Sequence, residues 1–329
     1  MTLASIRGLA AHYDTGEGRH HALDGVGLDV EPGQITGIVG ESGCGKSTLA
    51  SVLSLNPKPS LRVDAGAMTV AGTAIDLTAI ESHRSLRGGT VALLPQGALN
   101  ALNPTRRVGS VAHDILAVGD KRIKRAESEA RTAARLAELD LPSRVLRAYP
   151  HQLSGGMRQR TVAALATLRD PRLLVADEPS SALDVSSQRL LMGLLRRLVS
   201  EGLVDAIVLI THDVALLSEL ADRIAVMYAG RVVEQAPART LVDRPRHPYS
   251  RALLASVLAP EPGTRGRRLA GIPGSPPDLR LRIPGCPFEP RCADAVERCR
   301  TERPPRSRSE GAASDCWLHA PAKEAADVR

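Results

Sequence analysis

The stretch GESGCGKSTLA, residues 40–50, directly follows the apolar run QITGIV, residues 34–39. From Gly40 to Ser47 it fits the pattern G-x-x-x-x-G-K-[S/T], between a predicted buried strand and a helix predicted to begin near Ser47. Glycines let successive backbone N–H groups curl around phosphate oxygens, and the helix N-terminus adds partial positive charge. The stretch therefore predicts a phosphate loop for a nucleoside triphosphate. A glycine-rich turn that matches by chance is the less favoured interpretation.

A second motif, LLVADEP at residues 173–179, places two carboxylates at the end of a predicted buried strand. Asp177 is placed to hold Mg²⁺ through water, and Glu178 to polarise an attacking water molecule. Strands often end in solvated carboxylates, so this motif alone is weak. Together with the phosphate loop it predicts a nucleotide-hydrolysing site.

A third motif, LSGGMRQR at residues 153–160, predicts another anion-binding helix terminus. Ser154 is typical of an N-cap, and Gly155 and Gly156 leave N–H groups unshielded at the start of the helix. A purely structural cap would explain a lone S-G-G. The full octapeptide favours a second phosphate-binding terminus.

The order of predicted elements indicates an α/β fold. Short strands and turns fill the first 35 residues, and 98–170 is predicted to be mostly helical. Strands and helices then alternate from residue 171 to 221, which predicts a parallel sheet covered by helices. One predicted helix places five leucines on a single buried face: Leu190, Leu191, Leu194, Leu195 and Leu198. Beyond about residue 241 the periodicity fades, and 259–311 holds ten of the 23 prolines in a predicted loop-rich region.

The bulk composition limits the possible partners. The net charge of +7 would suit a nucleic-acid partner, but an aromatic content of 2% is too sparse for base stacking, so none is expected. No apolar run approaches the length of a membrane span, and the first residues lack the basic-then-apolar pattern of a signal peptide. We therefore expect a cytosolic protein whose membrane role comes through partners.

Five stretches in this order resemble the nucleotide-binding subunit of an ABC transporter: GESGCGKS, LSGGMRQR, LLVADEP, SALD and ITHD. The resemblance covers roughly residues 3–240. It implies a P-loop cassette at 1–240, with a RecA-like parallel sheet, an antiparallel β subdomain and a helical subdomain at about 98–168. A small C-terminal region at 241–329 follows.

The resemblance also implies that ATP and Mg²⁺ bind at named residues. The phosphate loop contributes Gly40, Ser42, Gly43, Cys44, Gly45, Lys46, Ser47 and Thr48. Tyr13 would stack on adenine, although a strand-packing tyrosine is the alternative. Ser47, Gln96 and Asp177 would hold Mg²⁺, with a surface amide as the alternative for Gln96.

In this family two subunits sandwich two ATP molecules between them. Ser154, Gly155 and Gly156 would contact ATP bound on the partner, and Asp184 would link the subunits. Glu178 would be the catalytic base, Lys46 would hold the β and γ phosphates, and His212 would contact the γ-phosphate. A buried strand-end histidine is the alternative for His212.

Three further stretches resemble the importers of oligopeptides, dipeptides and nickel: ALNALNP, YPHQLSGGMRQR and RHPYSRALLASV. Met157 stands where the commonest family pattern has Gln, which is usual in this subgroup. The resemblance implies an ATPase that works at the cytoplasmic face of the membrane and energises peptide import. Its partners would be a homologous second ATPase or itself, two permeases and an extracytoplasmic solute-binding protein. Nickel or another small solute, export, and a nucleic-acid-associated ABC ATPase remain as alternatives.

The remaining cysteines have the spacing C-x5-C-x6-C-x16-C: Cys286, Cys292, Cys299 and Cys316. This spacing lacks the C-x2-C pairs of zinc ribbons, and four thiolates suit a [4Fe–4S] cluster, which the resembling importers carry here. Zinc, free thiols and disulfides remain as alternatives. The nearby Arg291, Arg298 and Arg300 are expected to favour deprotonated sulfur.

Overall fold

An antiparallel sheet opens the chain. The structure is a computed structural model, and it describes residues 2–16, 18–97, 102–181, 183–257 and 271–320. Within these residues the sheet has four strands in the order β2-β1-β4-β5: β1 (Ala4–Thr15), β2 (Gly18–Val30), β4 (Leu61–Val70) and β5 (Thr73–Ile75). The predicted antiparallel β subdomain is confirmed.

The second sheet is the centre of the molecule. Its described strands follow the order β11-β12-β10-β9-β3-β8-β7-β6. They are β3 (Ile35–Val39), β6 (Val91–Leu94), β7 (Leu173–Asp177), β8 (Ala206–Ile210), β9 (Arg223–Tyr228), β10 (Arg231–Pro237), β11 (Arg306–Ser309) and β12 (Ala312–Asp315). The pairs β6–β7, β7–β8, β8–β3 and β3–β9 are parallel, as predicted. Parallel strands end at a common edge, so the residues that follow β3, β7 and β8 are brought together there.

Successive residues of these strands enter two different cores. On β8, Ile207 and Leu209 join the cluster that includes the helices between residues 108 and 220, whereas Val208 and Ile210 join the cluster shared with the N-terminal sheet. Strand side chains alternate between the two faces, so a continuous apolar run is required wherever both faces are covered. This explains why short apolar runs predicted these strands correctly.

Helices cover both faces of the central sheet. They are α1 (Lys46–Leu53), α2 (Val108–Gly119), α3 (Arg125–Glu138), α4 (Gly155–Thr167), α5 (Val185–Ser200), α6 (Val214–Leu220), α7 (Ala238–Asp243), α8 (Pro248–Val257) and the short α9 (Arg298–Thr301). The predicted helical segment at 98–170 contains α2, α3 and α4, and its first residues, 98–101, lie outside the described residues. Among the helices described, none has both the length and the apolar character required to cross a membrane.

The prediction of a buried leucine face is wrong at one residue. On α5, Leu191, Leu194, Leu195 and Leu198 are buried, but Leu190 is 65% exposed. A helix turns 100° per residue, so Leu190 is rotated away from Leu191 and falls outside the stripe of the helix that contacts the core. The core side runs through Leu191 and Leu195.

The prediction of a loop-rich C-terminal region is also partly wrong. Residues 306–315 form β11 and β12, and β12 pairs antiparallel with β10, joining Glu234 to Ser314 and Gln235 to Ala313. The described part of this region therefore extends the central sheet of the cassette. The short segments RSRS and AASD carry no apolar alternation, which explains why the pattern missed them.

Candidate active site

The phosphate loop runs from the end of β3 into α1. Gly40 and Gly45 lie where the chain passes closest to neighbouring backbone, because a Cβ would collide with the carbonyl oxygens of Met227 and Ala22, respectively. Gly45 also has a φ of +103°, in the region that favours glycine. Two of the loop glycines are therefore fixed by packing, in addition to any requirement for phosphate access.

Lys46 is held inside the curl of this loop. Its Nζ donates hydrogen bonds to the carbonyl oxygens of Gly40, at 2.7 Å, and Glu41, at 2.9 Å. Only 6% of Lys46 is exposed. The carbonyl oxygens thus hold the ammonium group inside the loop, where a cation can neutralise bound phosphate.

Cys44 is buried rather than exposed to the cleft. It is 5% exposed, its Sγ lies 3.8 Å from Nζ of Lys46, and burial raises the pKa of its thiol. The sequence prediction placed Cys44 among the nucleotide-binding residues. Its side chain packs in the core, so only its backbone is available for that role.

An oxygen-rich pair lies beside the loop. Ser47 Oγ donates to Asp177 Oδ1 at 3.3 Å, across 130 residues of sequence. Burial raises the pKa of Asp177, and the adjacent Glu178 carboxylate adds to this rise, while the Ser47 hydrogen bond opposes it. Hydroxyl and carboxylate oxygens are ligands that Mg²⁺ accepts, usually alongside waters and substrate phosphates.

Glu178 follows β7 directly and has an unusual backbone conformation. Its φ is +45°, and its N–H donates to the Ile210 carbonyl oxygen at 2.8 Å. A non-glycine residue in this region is strained by about 1–3 kcal/mol, and such strain is concentrated at functional sites. The Gln96 side chain donates to Glu178 Oε2 at 3.2 Å, and His212 Nδ1 lies 3.6 Å from Oε1. Glu178 is thereby held between two predicted site residues.

These groups face one open cleft of about 450 Å³. The predicted residues that line it are Tyr13, Ser42, Gly43, Gly45, Lys46, Ser47, Thr48, Glu178 and His212. Tyr13 is fixed at the edge by a 3.2 Å hydrogen bond between its hydroxyl and that of Thr48. His20 and Ala22 also line the cleft, and the sequence prediction missed both. The available signal in the sequence was the predicted turn between the first two strands, because the hairpin that it forms pairs Tyr13 with His20.

Ser154 and Asp184 cap helices away from this cleft. Ser154 Oγ accepts from the Met157 N–H at 3.3 Å, and Ser154 and Gly155 are exposed. Asp184 accepts hydrogen bonds from the Ser186 hydroxyl and the Ser187 N–H, which lower its pKa to about 2. The described lining of the cleft includes neither cap nor Gly155 or Gly156.

The four C-terminal cysteines line a different cavity, of about 140 Å³, together with His247. The structure contains them as free thiols. His247 is 1% exposed, and its Nε2 has no hydrogen-bond partner among the described residues. In the described part of the chain, no three His, Cys, Asp or Glu side chains are arranged to hold a metal ion. The structure therefore does not itself support the predicted iron–sulfur cluster.

The expected effect of nearby arginines on these thiols is wrong. Burial raises the pKa of Cys286 to about 11 and also raises the pKa values of Cys292 and Cys316. The three arginines instead pair with carboxylates: Arg291 with Glu41, Arg298 with Glu302, and Arg300 with Glu289. Desolvation therefore exceeds any stabilisation of thiolates by these cations.

Comparisons with known proteins agree with this geometry. A family model described as ABC transporter matches residues 23–181, and one described as Oligopeptide/dipeptide transporter, C-terminal region, matches residues 233–299. The probable peptide ABC transporter ATP-binding protein y4tR of Sinorhizobium fredii is 40% identical over 96% of this chain and 94% of its own. This chain belongs to the ABC transporter ATP-binding proteins. The dipeptide transport ATP-binding protein DppD of Bacillus subtilis is 37% identical over 95% of this chain and 94% of its own.

Solved structures support the same assignment. The dimeric structure of MJ0796, described as a bacterial ABC transporter cassette, has a TM-score of 0.60 and 25% identity, covering 72% of this chain and 99% of that one. A structure of the same cassette described as a post-hydrolysis state bound to ADP and Pi gives the same values. The predicted family and fold are confirmed, and this ABC protein is an ATPase.

Proposed function

We propose that this ABC ATPase energises the import of peptides, as a peripheral subunit at the cytoplasmic face of the cell membrane. The observation that carries the proposal is the single cleft that Lys46, Glu178 and His212 share with the phosphate loop. Relatives named for peptide and dipeptide transport match nearly the whole chain, including the C-terminal region. That region supports import over export.

Hydrolysis would proceed by in-line attack of water on the γ-phosphate. The loop N–H groups and Lys46 stabilise the charge that develops on the phosphate oxygens. Glu178, which Gln96 holds by one carboxylate oxygen, orients the water and accepts its proton. His212 is exposed beside Glu178 and would contact the γ-phosphate. Mg²⁺ would be held by Ser47 and Asp177, with Gln96 in its water shell, and would neutralise phosphate charge.

The arrangement of Ser154 supports a two-chain site. The exposed helix terminus at Ser154, Gly155 and Gly156 lies outside the cleft lining of its own chain and would cover ATP bound by a partner. Asp184 would link the two chains. The partner would be a homologous second ATPase or a second copy, beneath two permeases that receive peptide from an extracytoplasmic binding protein. We assign the nucleotide function to residues 1–240 and the subgroup-specific function to 241–329.

The charge distribution supports a nucleic-acid role less than it supports peptide import. Arginines that give the C-terminal region its positive charge form ion pairs: Arg280, Arg291, Arg298, Arg300, Arg303 and Arg306. Paired cations have little remaining capacity to release counterions from a phosphate backbone. Peptide import is therefore the function that we propose.

We also propose that the cysteine cavity holds a [4Fe–4S] cluster. Its support is the donor set of four thiols around one cavity, beside the buried Nε2 of His247, which has no hydrogen-bond partner in the described part of the chain. A single zinc ion would need its ligands within about 2.3 Å of the metal, whereas a cluster occupies volume and accepts thiolates at its periphery. The cluster would fasten a region that has few apolar residues of its own.

Reconstitution tests the transport function. We expect the chain, assembled in proteoliposomes with its permeases, second ATPase and binding protein, to couple ATP hydrolysis to uptake of di- and oligopeptides. The same assembly with Glu178→Gln should take up none. Uptake of Ni²⁺ without peptides, at equal ATP turnover, would replace peptide by metal as the solute.

Metal analysis tests the cluster. Protein purified without oxygen should contain iron and acid-labile sulfide in equal amounts, and replacement of all four cysteines by serine should remove both. Stable, colourless wild-type protein without iron would contradict the cluster proposal and leave the nucleotide site untouched.

A further inference from the structure

Glu41, the residue after Gly40 in the phosphate loop, has no evident role in binding phosphate. Glu41 is absent from the described lining of the cleft, and its partly buried carboxylate needs a cation that neutralises it and fixes its direction. Arg291 supplies that cation from the C-terminal region. Its Nη1 donates to Glu41 Oε2 at 2.7 Å and its Nη2 to Oε1 at 2.9 Å, which is a bidentate pair.

Arg291 is itself held rigidly. Its side chain is 4% exposed, and that of Glu41 is 24% exposed. The Arg291 guanidinium also donates to the carbonyl oxygen of Pro273, at 2.7 Å, and to the Tyr228 hydroxyl, at 3.2 Å. A guanidinium that donates to this many fixed acceptors holds its carboxylate partner in one position, which the guanidinium of an exposed ion pair does not.

The same loop residue has a second anchor from the C-terminal region. The Glu41 N–H donates to the hydroxyl of Tyr249 at 2.9 Å. Tyr249 is fully buried, and its ring packs 4.5 Å from that of Tyr228 and 5.3 Å from that of Phe288. Both the backbone and the side chain of Glu41 are thus held by residues more than 200 positions away.

These two anchors are continuous with the cysteine cavity. Arg291 directly precedes Cys292, and Phe288 lines the cavity. The Tyr249 N–H donates to Nδ1 of His247, at 3.0 Å, and His247 lines the cavity as well. The part of the C-terminal region that contains Cys286, Cys292, Cys299 and Cys316 is called the cysteine region here. Its fold therefore determines where both anchors lie.

We propose that Arg291 and Tyr249 are positioning residues for ATP binding: they hold Glu41, and through it the phosphate loop, so that ATP affinity depends on the folded cysteine region. This inference rests on the proposed ATPase site. Neither residue touches the reacting atoms. Their loss should weaken ATP binding while turnover at saturating ATP remains near normal.

A double-mutant cycle separates positioning from simple stability. Arg291→Gln leaves the partly buried Glu41 carboxylate without its cation and should displace the phosphate loop, so we expect the Kd and KM for ATP to rise about tenfold. The double variant Glu41→Gln with Arg291→Gln removes that carboxylate and should return the Kd to within about threefold of wild type. Arg300→Gln is the matched control, because Arg300 is 63% exposed and pairs with Glu289 in the same region.

Tyr249→Phe provides a second, independent variant. It removes only the acceptor of the Glu41 N–H and retains the buried ring, so we expect a smaller rise in KM, about threefold, with a melting temperature lowered by only a few degrees. Partial recovery of affinity in Arg291→Lys would support the role of charge. ATP affinity is measured by calorimetry on the full chain, with thermal unfolding as the check on folding.

The outcomes distinguish this inference from the function on which it rests. If wild-type protein fails to bind Mg-ATP, the proposed function fails. If wild type binds ATP and both Arg291→Gln and Tyr249→Phe bind it equally well, only the positioning role is overturned. Equal weakening in Arg291→Gln and in the double variant would also overturn it, because a purely structural effect is not rescued by removing the carboxylate.

Discussion

The phosphate-loop site and the cysteine region are built in different ways. The loop is eight consecutive residues, the six between β3 and α1 and the first two of α1, and their backbone is predicted to perform the binding. The cysteine region depends on partners that are distant in sequence, such as Glu41 for Arg291 and Asp24 for Arg303. A function encoded in neighbouring residues can be identified from a motif, whereas a region stabilised by distant contacts cannot. The structure also shows that the two regions share Glu41.

The largest expected effect falls on the motif-encoded site. Glu178→Gln keeps the size of the side chain and the contact with Gln96 but removes the proton acceptor. We expect ATP turnover to fall by about 10²–10⁴-fold while the Kd for ATP changes little. Phosphate release measures the first quantity and calorimetry the second. Glu219→Gln, an exposed glutamate on α6, is the control, and near-normal turnover in Glu178→Gln would remove Glu178 from the reaction.

The core of the cassette gives the next largest effect and tests the helical pattern. Leu195 is fully buried, so Leu195→Ala should lower the free energy of unfolding by about 2–5 kcal/mol. Leu190 is 65% exposed, and Leu190→Ala should change it by less than about 0.5 kcal/mol. Equal losses in chemical denaturation would mean that α5 is rotated from the described orientation.

A smaller effect is expected in the cysteine region. A Cβ on Gly285 would collide with the carbonyl oxygen of Cys299, which accepts a 2.7 Å hydrogen bond from the Cys286 N–H. Gly285→Ala should therefore destabilise the fold by about 1–3 kcal/mol. Gly271→Ala is the matched control, since a Cβ there meets no atom within 4 Å. If the two variants have the same melting temperature, the contact between residues 285 and 299 does not contribute to stability.

The smallest effect is a pH dependence at the cap of α5. The pKa of Asp184 is about 2 in the folded chain, below its ordinary value of 3.8, because the Ser186 hydroxyl and the Ser187 backbone bind the charged form. A lowered pKa stabilises the fold at pH values above the pKa of the unfolded chain. This contribution to stability is lost as pH falls from about 4 towards 2. The stability difference between wild type and Asp184→Asn should therefore shrink between pH 6 and pH 3. A difference that stays constant would exclude a contribution from the charge.

The sequence predicted what is local or fully periodic. The parallel strands were predicted because each is a continuous apolar run buried on both faces. The cleft residues Lys46, Glu178 and His212 were predicted because each belongs to a short motif that follows such a strand. Their roles in hydrolysis remain predictions.

What the sequence could not predict depends on tertiary contacts. The strands β11 and β12 lack apolar alternation and form because β10 offers an edge for pairing. The thiol pKa values are set by burial, which sequence neighbours such as Arg291 do not reveal. The anchoring of Glu41 joins residues separated by 208 and 250 positions, and no motif spans such a distance.

Calorimetric titration of Mg-ATP into wild type and Lys46→Ala, side by side, tests the central claim most directly. We predict saturable binding by the wild-type chain and at least about tenfold weaker binding by the variant, because the Lys46 ammonium lies inside the phosphate loop. Lys121→Ala, on an exposed turn, should bind as wild type does. Equal affinity in wild type and Lys46→Ala, or no binding by either, would contradict the account.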